Sequence, residues 1–292
     1  MGVIATNNWV REFAERCQKK GIFERELMIQ KEVIIERLAK AFQTTQFMDL
    51  HEYLLNQGLF HPDHGGNIKE VVAHLEEKKC WQYVQEEYKW LRSNWRGPKA
   101  SIFIFPVEMR NTMIMNELGG KMGIGFRDKI FLFLSPEVSK GEVCQLLTHE
   151  YHHVCRLSYL NKSATELSLL DSLLVEGLAE AAVGERFGEG ALAPWVKRYN
   201  DQEVETFWER VFLPNLQLKG HENHQPFLYG NGSVHLPKWI GYCIGYKIVK
   251  SLLERHRGDQ TTILLRLSSE EILQRSKFLA QPVEQIEKPR KR

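Results

Sequence analysis

The stretch Leu146–Leu157, LLTHEYHHVCRL, places three histidines and one glutamate in five consecutive positions. Its apolar flanks predict a buried helix. An unsatisfied buried polar group costs about 1–3 kcal/mol, so these side chains need partners inside the fold. The chain must therefore form a helix whose polar residues are held by a ligand or by other buried groups.

His149, Glu150 and His153 satisfy the pattern H-E-x-x-H. On a helix the two histidines lie about 40° apart on one face, where their imidazoles can bind one zinc ion together. Glu150 emerges beside that face, so its carboxylate can reach a zinc-bound water without binding the metal itself. The spacing therefore predicts a zinc site with Glu150 as the general base.

A third zinc ligand is predicted in the next helix, because a catalytic zinc site keeps three protein ligands and one open position. Glu176, in the sequence DSLLVEGLAEAAV, is our choice. Glu180 follows on the same helical face and can accept the free ring N–H of a zinc-bound histidine. Gly177 costs about 1 kcal/mol relative to alanine inside a helix, which indicates that another backbone approaches closely there.

Other interpretations compete with this assignment. Glu176 and Glu180 by themselves are typical of a solvated helix face, and the histidine-rich helix also suits a metal-free core whose histidines find other partners. His152 projects away from the ligand face, so we expect it to pack or to form a hydrogen bond. The remaining candidate ligands are His221 and His224, which we expect in the polar loop HENHQPF, and His61 and His64, which we expect in a turn.

The chain changes character after residue 95. Residues 8–95 have the 3.6-residue spacing of helices, whereas SIFIFPV and KIFLFLSP, rich in Ile and Phe, predict strands. Between those strands the glycine-rich NELGGKMGIGFRD predicts a turn followed by an extended segment. We therefore predict an α+β fold, with a helical region at residues 1–95 and a second domain at residues 96–292.

Three long helices are predicted after Pro136. The first contains the histidine motif. The second begins at Ser163, where Ser163 and Glu166 form a capping-box pattern, and ends near Gly184. The turn NKSAT between them lets the second helix run antiparallel, which brings its glutamates back past the histidines. The third helix, in LPKWIGYCIGYKIVKSLLERH, begins at Pro237.

Composition limits the partners that we expect. The 292 residues carry a formal net charge of +2, which gives no reason to expect a nucleic acid. The five cysteines form no C-x-x-C pair, so we expect neither a disulfide framework nor a thiolate zinc site. The N-terminus lacks the apolar run of a signal peptide, and no stretch approaches about 18 consecutive apolar residues. We therefore expect a cytoplasmic protein without a membrane partner.

The sequences HEYHH, EGLAE and WIGYCIGYKIV resemble the YjaZ-like family of predicted zinc-dependent proteases, a gluzincin-type group. The resemblance covers about residues 95–278. It implies a zincin-like metallopeptidase domain that holds Zn2+ with His149, His153 and Glu176. It also implies a peptide or protein substrate.

In such enzymes the strand before the metal helix pairs with an extended substrate, and GGKMGIGF occupies that place here. An exposed strand edge offers main-chain hydrogen bonds to a peptide, and we expect the N–H of Ile124 to take part. The family also implies a downstream Tyr or His that holds the developing oxyanion. His235, Tyr242 and Tyr246 are available, and we choose Tyr242, although aromatic packing beside nearby glycines explains that residue equally well.

Together these residues predict a zinc-dependent peptidase that activates water, in which Glu150 takes the proton and passes it to the leaving amine. The alternative is a zinc-containing protein that binds a peptide or partner on the same fold without hydrolysing it. Glu150 favours the enzyme, because a purely structural metal gives no chemical reason for a base beside an open metal position.

Overall fold

A computed structural model of the chain describes residues 2–21, 24–64, 67–230, 236–256 and 260–279. Helices dominate these residues, and three short strands form a small sheet. Within the described ranges, every helix is too short or too polar to cross a membrane. The chain divides into two units, Met1–Ser158 and Tyr159–Arg292. The architecture is α+β, as the sequence predicts, whereas the division at residues 95 and 96 stays a prediction.

The N-terminal part of the first unit is helical, in agreement with its spacing. A buried hydrogen-bond chain joins two of its helices: Gln30 Nε2 donates to the Phe60 carbonyl at 2.9 Å, and His51 Nε2 lies 2.6 Å from Gln30 Oε1. The helices are α1 (Thr6–Lys19), α2 (Glu26–Gln30), the π-helical turn Lys31–Ile35, α3 (Glu36–Phe42), α4 (Phe47–Asn56), α5 (Ile68–Glu77) and α6 (Cys80–Trp95).

Three strands form the sheet of the first unit, in the order β1-β3-β2. The chain runs from β1 (Ser101–Pro106) through the short helix α7 (Thr112–Glu117) into β2 (Lys121–Gly125) and β3 (Lys129–Leu134). β1 pairs with β3 in parallel, and β2 pairs with β3 antiparallel. The strands predicted from Ile and Phe, and the extended segment predicted in the glycine-rich stretch, are confirmed. Among the described strands, β2 lies at an edge of the sheet.

The sheet has an aromatic face and an aliphatic face, because side chains alternate along each strand. Phe103 and Phe131, in register on β1 and β3, stack with ring centroids 4.9 Å apart. Trp9 of α1 packs 6.2 Å from Phe103 on this face. The alternate positions of β1 and β3 carry Ile or Leu on the other face, together with Gly123 and Gly125 of β2. Both faces are buried, which explains why β1 and β3 are continuous apolar runs.

The histidine motif lies on α8 (Lys140–Leu160), a single helix as predicted. Tyr151 fixes this helix within the first unit. Its ring stacks on Trp95 with centroids 5.8 Å apart, and its hydroxyl donates to the Pro98 carbonyl at 2.8 Å. A Cβ on Gly97 would overlap the Tyr151 hydroxyl, so this glycine lets the chain after α6 pass directly against α8.

The second unit is built around α9 (Leu169–Phe187), which is apolar on nearly all sides and is therefore a core helix. Its other helices are α10 (Asp201–Phe207), α11 (His221–Tyr229), α12 (Ile240–Arg255), α13 (Thr261–Leu264) and α14 (Ser269–Arg275). Buried polar contacts also hold the helices together. Ser269 of α14, for example, donates its hydroxyl to Asp171 Oδ1 of α9 at 2.6 Å.

The central helix of the second unit begins later than predicted. Ser163 does donate its backbone N–H and its hydroxyl to Glu166, but these residues form only an exposed turn. The helix begins after Ser168, whose side chain forms a capping box with Asp171. Two capping patterns lie five residues apart in the sequence. Burial, which starts at residue 167, decides which of them begins the helix.

Three other helix predictions are wrong in detail. α9 continues past Gly184, where an added Cβ would meet Leu192 Cδ2 at 2.8 Å. It ends at Phe187 and is capped by Gly188, whose φ of 85° favours glycine. α12 begins at Ile240, not at Pro237, and two short helices follow it. HENHQPF, predicted as a polar loop, lies in α11 because long-range contacts bury part of it.

Candidate metal centre

His149 and His153 lie one turn apart on α8. Their ring centroids are 4.6 Å apart, and the two rings are nearly perpendicular, at 84°. His153 is 7% exposed, whereas His149 is half-buried. Two imidazoles this close at positions i and i+4 can bind one metal ion. The structure thus brings the two predicted histidine ligands together.

Glu150 packs against the glycines of β2 and is 5% exposed. A Cβ on Gly123 would lie 2.5 Å from Glu150 Cγ and Oε1. A Cβ on Gly125 would lie 2.8 Å from the backbone oxygen of Glu150. Real Cβ atoms do not approach other atoms this closely, so the strand can lie here only because it carries no side chain on this face. The Glu150 carboxylate therefore packs directly against the main chain of Gly123 and Gly125.

The register of β2 decides which of its main-chain groups bond within the sheet. Phe126 N–H donates to the Lys129 carbonyl at 2.8 Å, and Ser135 N–H donates to the Gly120 carbonyl at 2.8 Å. Antiparallel neighbours alternate between hydrogen-bonded and non-hydrogen-bonded pairs. The even-numbered residues of β2 therefore bond to β3, and the odd-numbered residues point to the open edge.

The open edge of β2 presents the N–H and C=O groups of Lys121, Gly123 and Gly125. No hydrogen bond to the described residues engages these main-chain groups. Ile124 is opposite Phe131 in a bonded pair, so its N–H belongs to the sheet. The expectation that Ile124 N–H pairs with a substrate is wrong. The register with β3 decides which residues of β2 point their main-chain groups outward, and it turns those of Ile124 inward.

Glu176 is the one half-buried residue in a buried stretch of the chain. All the remaining residues from Leu167 to Val183 are buried. Next to it, Gly177 meets the backbone of α12: an added Cβ would overlap the carbonyl of Gly245 and lie 2.8 Å from the N of Tyr246. The close backbone approach predicted from Gly177 is confirmed.

One ligand atom from each of His149, His153 and Glu176 lies within 4.8 Å of the others. Two imidazole nitrogens and one carboxylate oxygen are a donor set typical of catalytic zinc. A tetrahedral zinc with bonds of about 2.0–2.2 Å holds its ligand atoms about 3.3–3.6 Å apart, a spacing compatible with three ligand atoms that all lie within 4.8 Å of one another. The residues present therefore fit a zinc ion.

Glu180 lies one turn after Glu176 on α9. It is 5% exposed, and its Oε1 accepts the backbone N–H of Ala193 at 2.5 Å. This hydrogen bond uses one lone pair of a carboxylate that can accept several. The hydrogen bond from Glu180 to a zinc-bound histidine stays a prediction.

Two of the three candidate oxyanion donors, Tyr242 and Tyr246, lie on α12. Tyr242 packs edge-on against Trp195, with centroids 5.7 Å apart, and its hydroxyl donates to the Tyr229 hydroxyl at 3.3 Å. Tyr246 is buried, and burial raises the pKa of its phenol to about 12, so it remains a proton donor at neutral pH. His235 lies outside the described residues. The choice of Tyr242 stays a prediction.

His224 has partners that explain it without a metal. It is fully buried, and its Nε2–H donates to the Leu218 carbonyl at 2.9 Å. Its Nδ1 therefore accepts the hydroxyl of Ser172, at 2.8 Å. Both ring nitrogens are engaged, which leaves no lone pair for a metal. His221 on the same helix is exposed.

His64 lies in the 3-10 turn Pro62–His64, and His61 directly precedes this turn. Both histidines lie close to acidic side chains. His61 Nδ1 is 2.7 Å from Asp63 Oδ1, and His64 Nε2 is 3.1 Å from Glu108 Oε1. Arg110 also donates to both carboxylates, at 2.9 Å in each case. The guanidinium already balances this acidic pair, so the cluster is typical of a surface ion-pair network.

Sequence reasoning treated one neighbour of the motif correctly and missed another. His152 is fully buried and packs edge-on against Trp95 at 5.5 Å, as the packing interpretation predicts. Burial holds the pKa of His152 well below its usual value. Arg156, one turn after His153, is also fully buried and was not singled out. Its spacing from the motif was the available signal, but its burial depends on the fold.

Comparison with known proteins identifies a family. Residues 80–274 match the model of a family described as "Predicted Zn-dependent protease (DUF2268)". The chain is 42% identical over 208 residues to the uncharacterized protein YjaZ of Bacillus subtilis (strain 168), which covers 69% of this chain and 79% of YjaZ. It is 30% identical over 189 residues to the uncharacterized protein YjfC of the same organism, covering 61% and 60% of the two chains. No solved structure matches significantly. The resemblance seen in the motifs is confirmed, and the chain belongs to this family of predicted Zn-dependent proteases.

Proposed function

We propose that the protein is a zinc-dependent peptidase with a zincin-like fold, which hydrolyses peptide bonds. The observation that carries the proposal is the grouping of ligand atoms from His149, His153 and Glu176. The family description supports the protease class. The free edge of β2, beside the motif helix, supports a peptide as the substrate.

Glu150 is the proposed general base. Its place one residue after His149 puts it beside the ligand face without making it a ligand. When bound, zinc would polarise a water molecule and lower its pKa to about 7. Glu150 would take the proton of that water and later pass it to the leaving amine. A hydroxyl donor, with Tyr242 as our choice, would stabilise the charge that develops on the carbonyl oxygen.

The proposed substrate is an extended peptide that pairs with the open edge of β2. Gly123 and Gly125 each present an N–H and a C=O there. Main-chain pairing of this kind gives affinity with little dependence on side chains. The same edge would also serve a protein that binds peptides without cleaving them, so an experiment must separate the two functions.

Glu150→Gln separates them, because glutamine preserves size and removes basicity. We expect the variant to keep its zinc and its fold, while hydrolysis falls by about 10²–10⁴-fold. Zinc content and cleavage of a mixed peptide library are measured side by side for the wild type and the variant. Glu137→Gln, an exposed glutamate just before α8, is the matched control and should cleave like the wild type.

Two outcomes would contradict the proposal. If Glu150→Gln and the wild type cleave equally well, Glu150 is not the base. If the wild type binds zinc but cleaves nothing in the library, the protein is better described as a zinc-containing peptide-binding protein.

A further inference from the structure

Gly123 and Gly125 are not required by the backbone conformation of β2. Both lie in a regular antiparallel strand, and neither has a positive φ. Glycine weakens a strand interior, because it has no side chain to pack and loses more entropy on folding. Their presence is therefore explained by what they face, which is α8.

The two glycines touch different parts of α8. The three atoms nearest to the Cβ that any other residue would place at Gly123 all belong to the Glu150 side chain, at 2.5 Å for Cγ and Oε1 and 2.6 Å for Cδ. At Gly125 the added Cβ meets the Glu150 backbone oxygen at 2.8 Å and His153 Cβ at 2.9 Å, and only then Glu150 Oε2, at 3.2 Å. The closest contacts of Gly123 are thus with the Glu150 side chain, whereas the closest contacts of Gly125 are with the α8 backbone and with His153 Cβ.

The same residues point their main-chain groups to the open edge. A peptide bound at that edge would be aligned by Gly123 and Gly125, and the Glu150 carboxylate rests on those two residues. The base and the substrate would then be positioned by a common strand. This matters because a misplacement of about 1 Å at a reacting group can cost about 10²-fold in rate.

We infer that Gly123 and Gly125 are positioning residues, Gly123 for the Glu150 carboxylate and Gly125 for the part of α8 that carries Glu150 and His153. This inference rests on the proposed function, because it assigns Glu150 the role of base. It goes further in assigning separate tasks to two glycines that carry no reactive group.

Gly123→Ala is expected to move the carboxylate and leave the metal ligands in place. We expect kcat to fall about 10²-fold, KM to change by less than about threefold, and zinc affinity to equal that of the wild type. Gly125→Ala is expected to push on the helix, so zinc affinity should fall about 10–100-fold, as it does when a ligand loses its support. Zinc affinity is measured by competition with a chromophoric chelator, which requires no hydrolysis.

A double-mutant cycle distinguishes positioning from a general structural defect. If Gly123 acts through the Glu150 carboxylate, Gly123→Ala should lower the rate in the wild-type background and have no further effect in the Glu150→Gln background. An equal loss in both backgrounds would overturn the inference. So would equal zinc affinities for Gly123→Ala and Gly125→Ala.

Gly141→Ala is the matched control, because its added Cβ meets only Ser139 Oγ, at 4.0 Å, in the first turn of α8. It should keep both zinc affinity and rate. If Gly125→Ala does not fold, the cycle with Gly123→Ala still decides. An inactive wild type would refute the proposed function, whereas an active wild type with a fully active Gly123→Ala would refute only this inference.

Discussion

Of the close contacts that depend on glycine, one contact from each unit shows how the atoms that a glycine touches decide its role. On β2, Gly123 faces the side chain of Glu150 at the half-exposed edge of the sheet. On α9, Gly177 meets the main chain of α12 at Gly245, inside a buried core. A side chain can rotate away from an added methyl group, whereas two packed helices must separate or bend.

Glycine therefore has a different role in each of the two contacts. The strand contact sets where a reactive group lies and involves few atoms, so changing it should affect rate more than stability. The helix contact joins two backbones and supports the packing around Glu176, so changing it should affect stability first. The following predictions test whether the two contacts divide in this way.

The largest expected effect is the loss of zinc from either ligand helix. His153→Ala on α8 and Glu176→Ala on α9 each remove one proposed ligand. Zinc affinity should fall by more than about 100-fold in both, because even the loss of a hydrogen-bond partner of a ligand costs about 10–100-fold. Elemental analysis of protein purified without chelator measures this. The exposed residues His221 and Glu205 provide alanine controls that should keep the metal.

Unequal results for these two variants would change the comparison. If only His153→Ala loses zinc, the third ligand is not Glu176, and the helix contact at Gly177 has no part in the site. A wild-type protein that folds well and contains no metal would contradict the assignment of all three ligands.

Local signals predicted the parts of the fold that depend on local sequence. Segments rich in Ile and Phe predicted β1 and β3, and the motif helix α8 was predicted as one element. Gly177 was predicted to meet another backbone, because a glycine inside an apolar helix has a cost that only close packing offsets. Each of these inferences uses residues a few positions apart in the sequence.

The features that were missed depend on pairing between distant residues. Ser163 and Ser168 carry similar caps, and only burial selects Ser168. The register of β2 with β3 decides which of its N–H groups face the open edge, so the N–H of Ile124 was assigned to the wrong side of the strand. His224 was placed in a polar loop, because its partners Ser172 and Leu218 are not its neighbours in sequence.

A second prediction compares a buried histidine from each unit by the pH dependence of stability. Burial, and to a smaller extent repulsion from His61, lowers the pKa of His51 to about 4. Between pH 6.5 and 4 the unfolded chain therefore binds more protons than the folded chain. The stabilisation is complete above pH 6.5 and is lost as the pH falls toward 4, for a total of about 3 kcal/mol.

His51→Gln should remove that part of the pH dependence of the free energy of unfolding, measured by urea denaturation at a series of pH values. Burial also lowers the pKa of His224, but its hydrogen bond to the Leu218 carbonyl opposes the shift. His224→Gln should therefore flatten the pH dependence less than His51→Gln. The reverse order would show that the second unit holds its histidine in the more apolar environment.

The smallest expected effect is the net result of two opposing terms at Gly177. Replacing a glycine inside a helix by alanine gains about 1 kcal/mol, whereas overpacking a close contact costs about 1–3 kcal/mol. The Cβ of Gly177→Ala would overlap the Gly245 carbonyl, and main chain cannot rotate away, so the cost should be at the upper end and the free energy of unfolding should fall by about 1–2 kcal/mol. Gly141→Ala, in open space on α8, should instead gain up to about 1 kcal/mol. Urea denaturation midpoints, compared at unchanged m-values, measure both changes. If both variants are stabilised, the helix contact tolerates a methyl group, and it no longer differs from the strand contact in the way that the structure indicates.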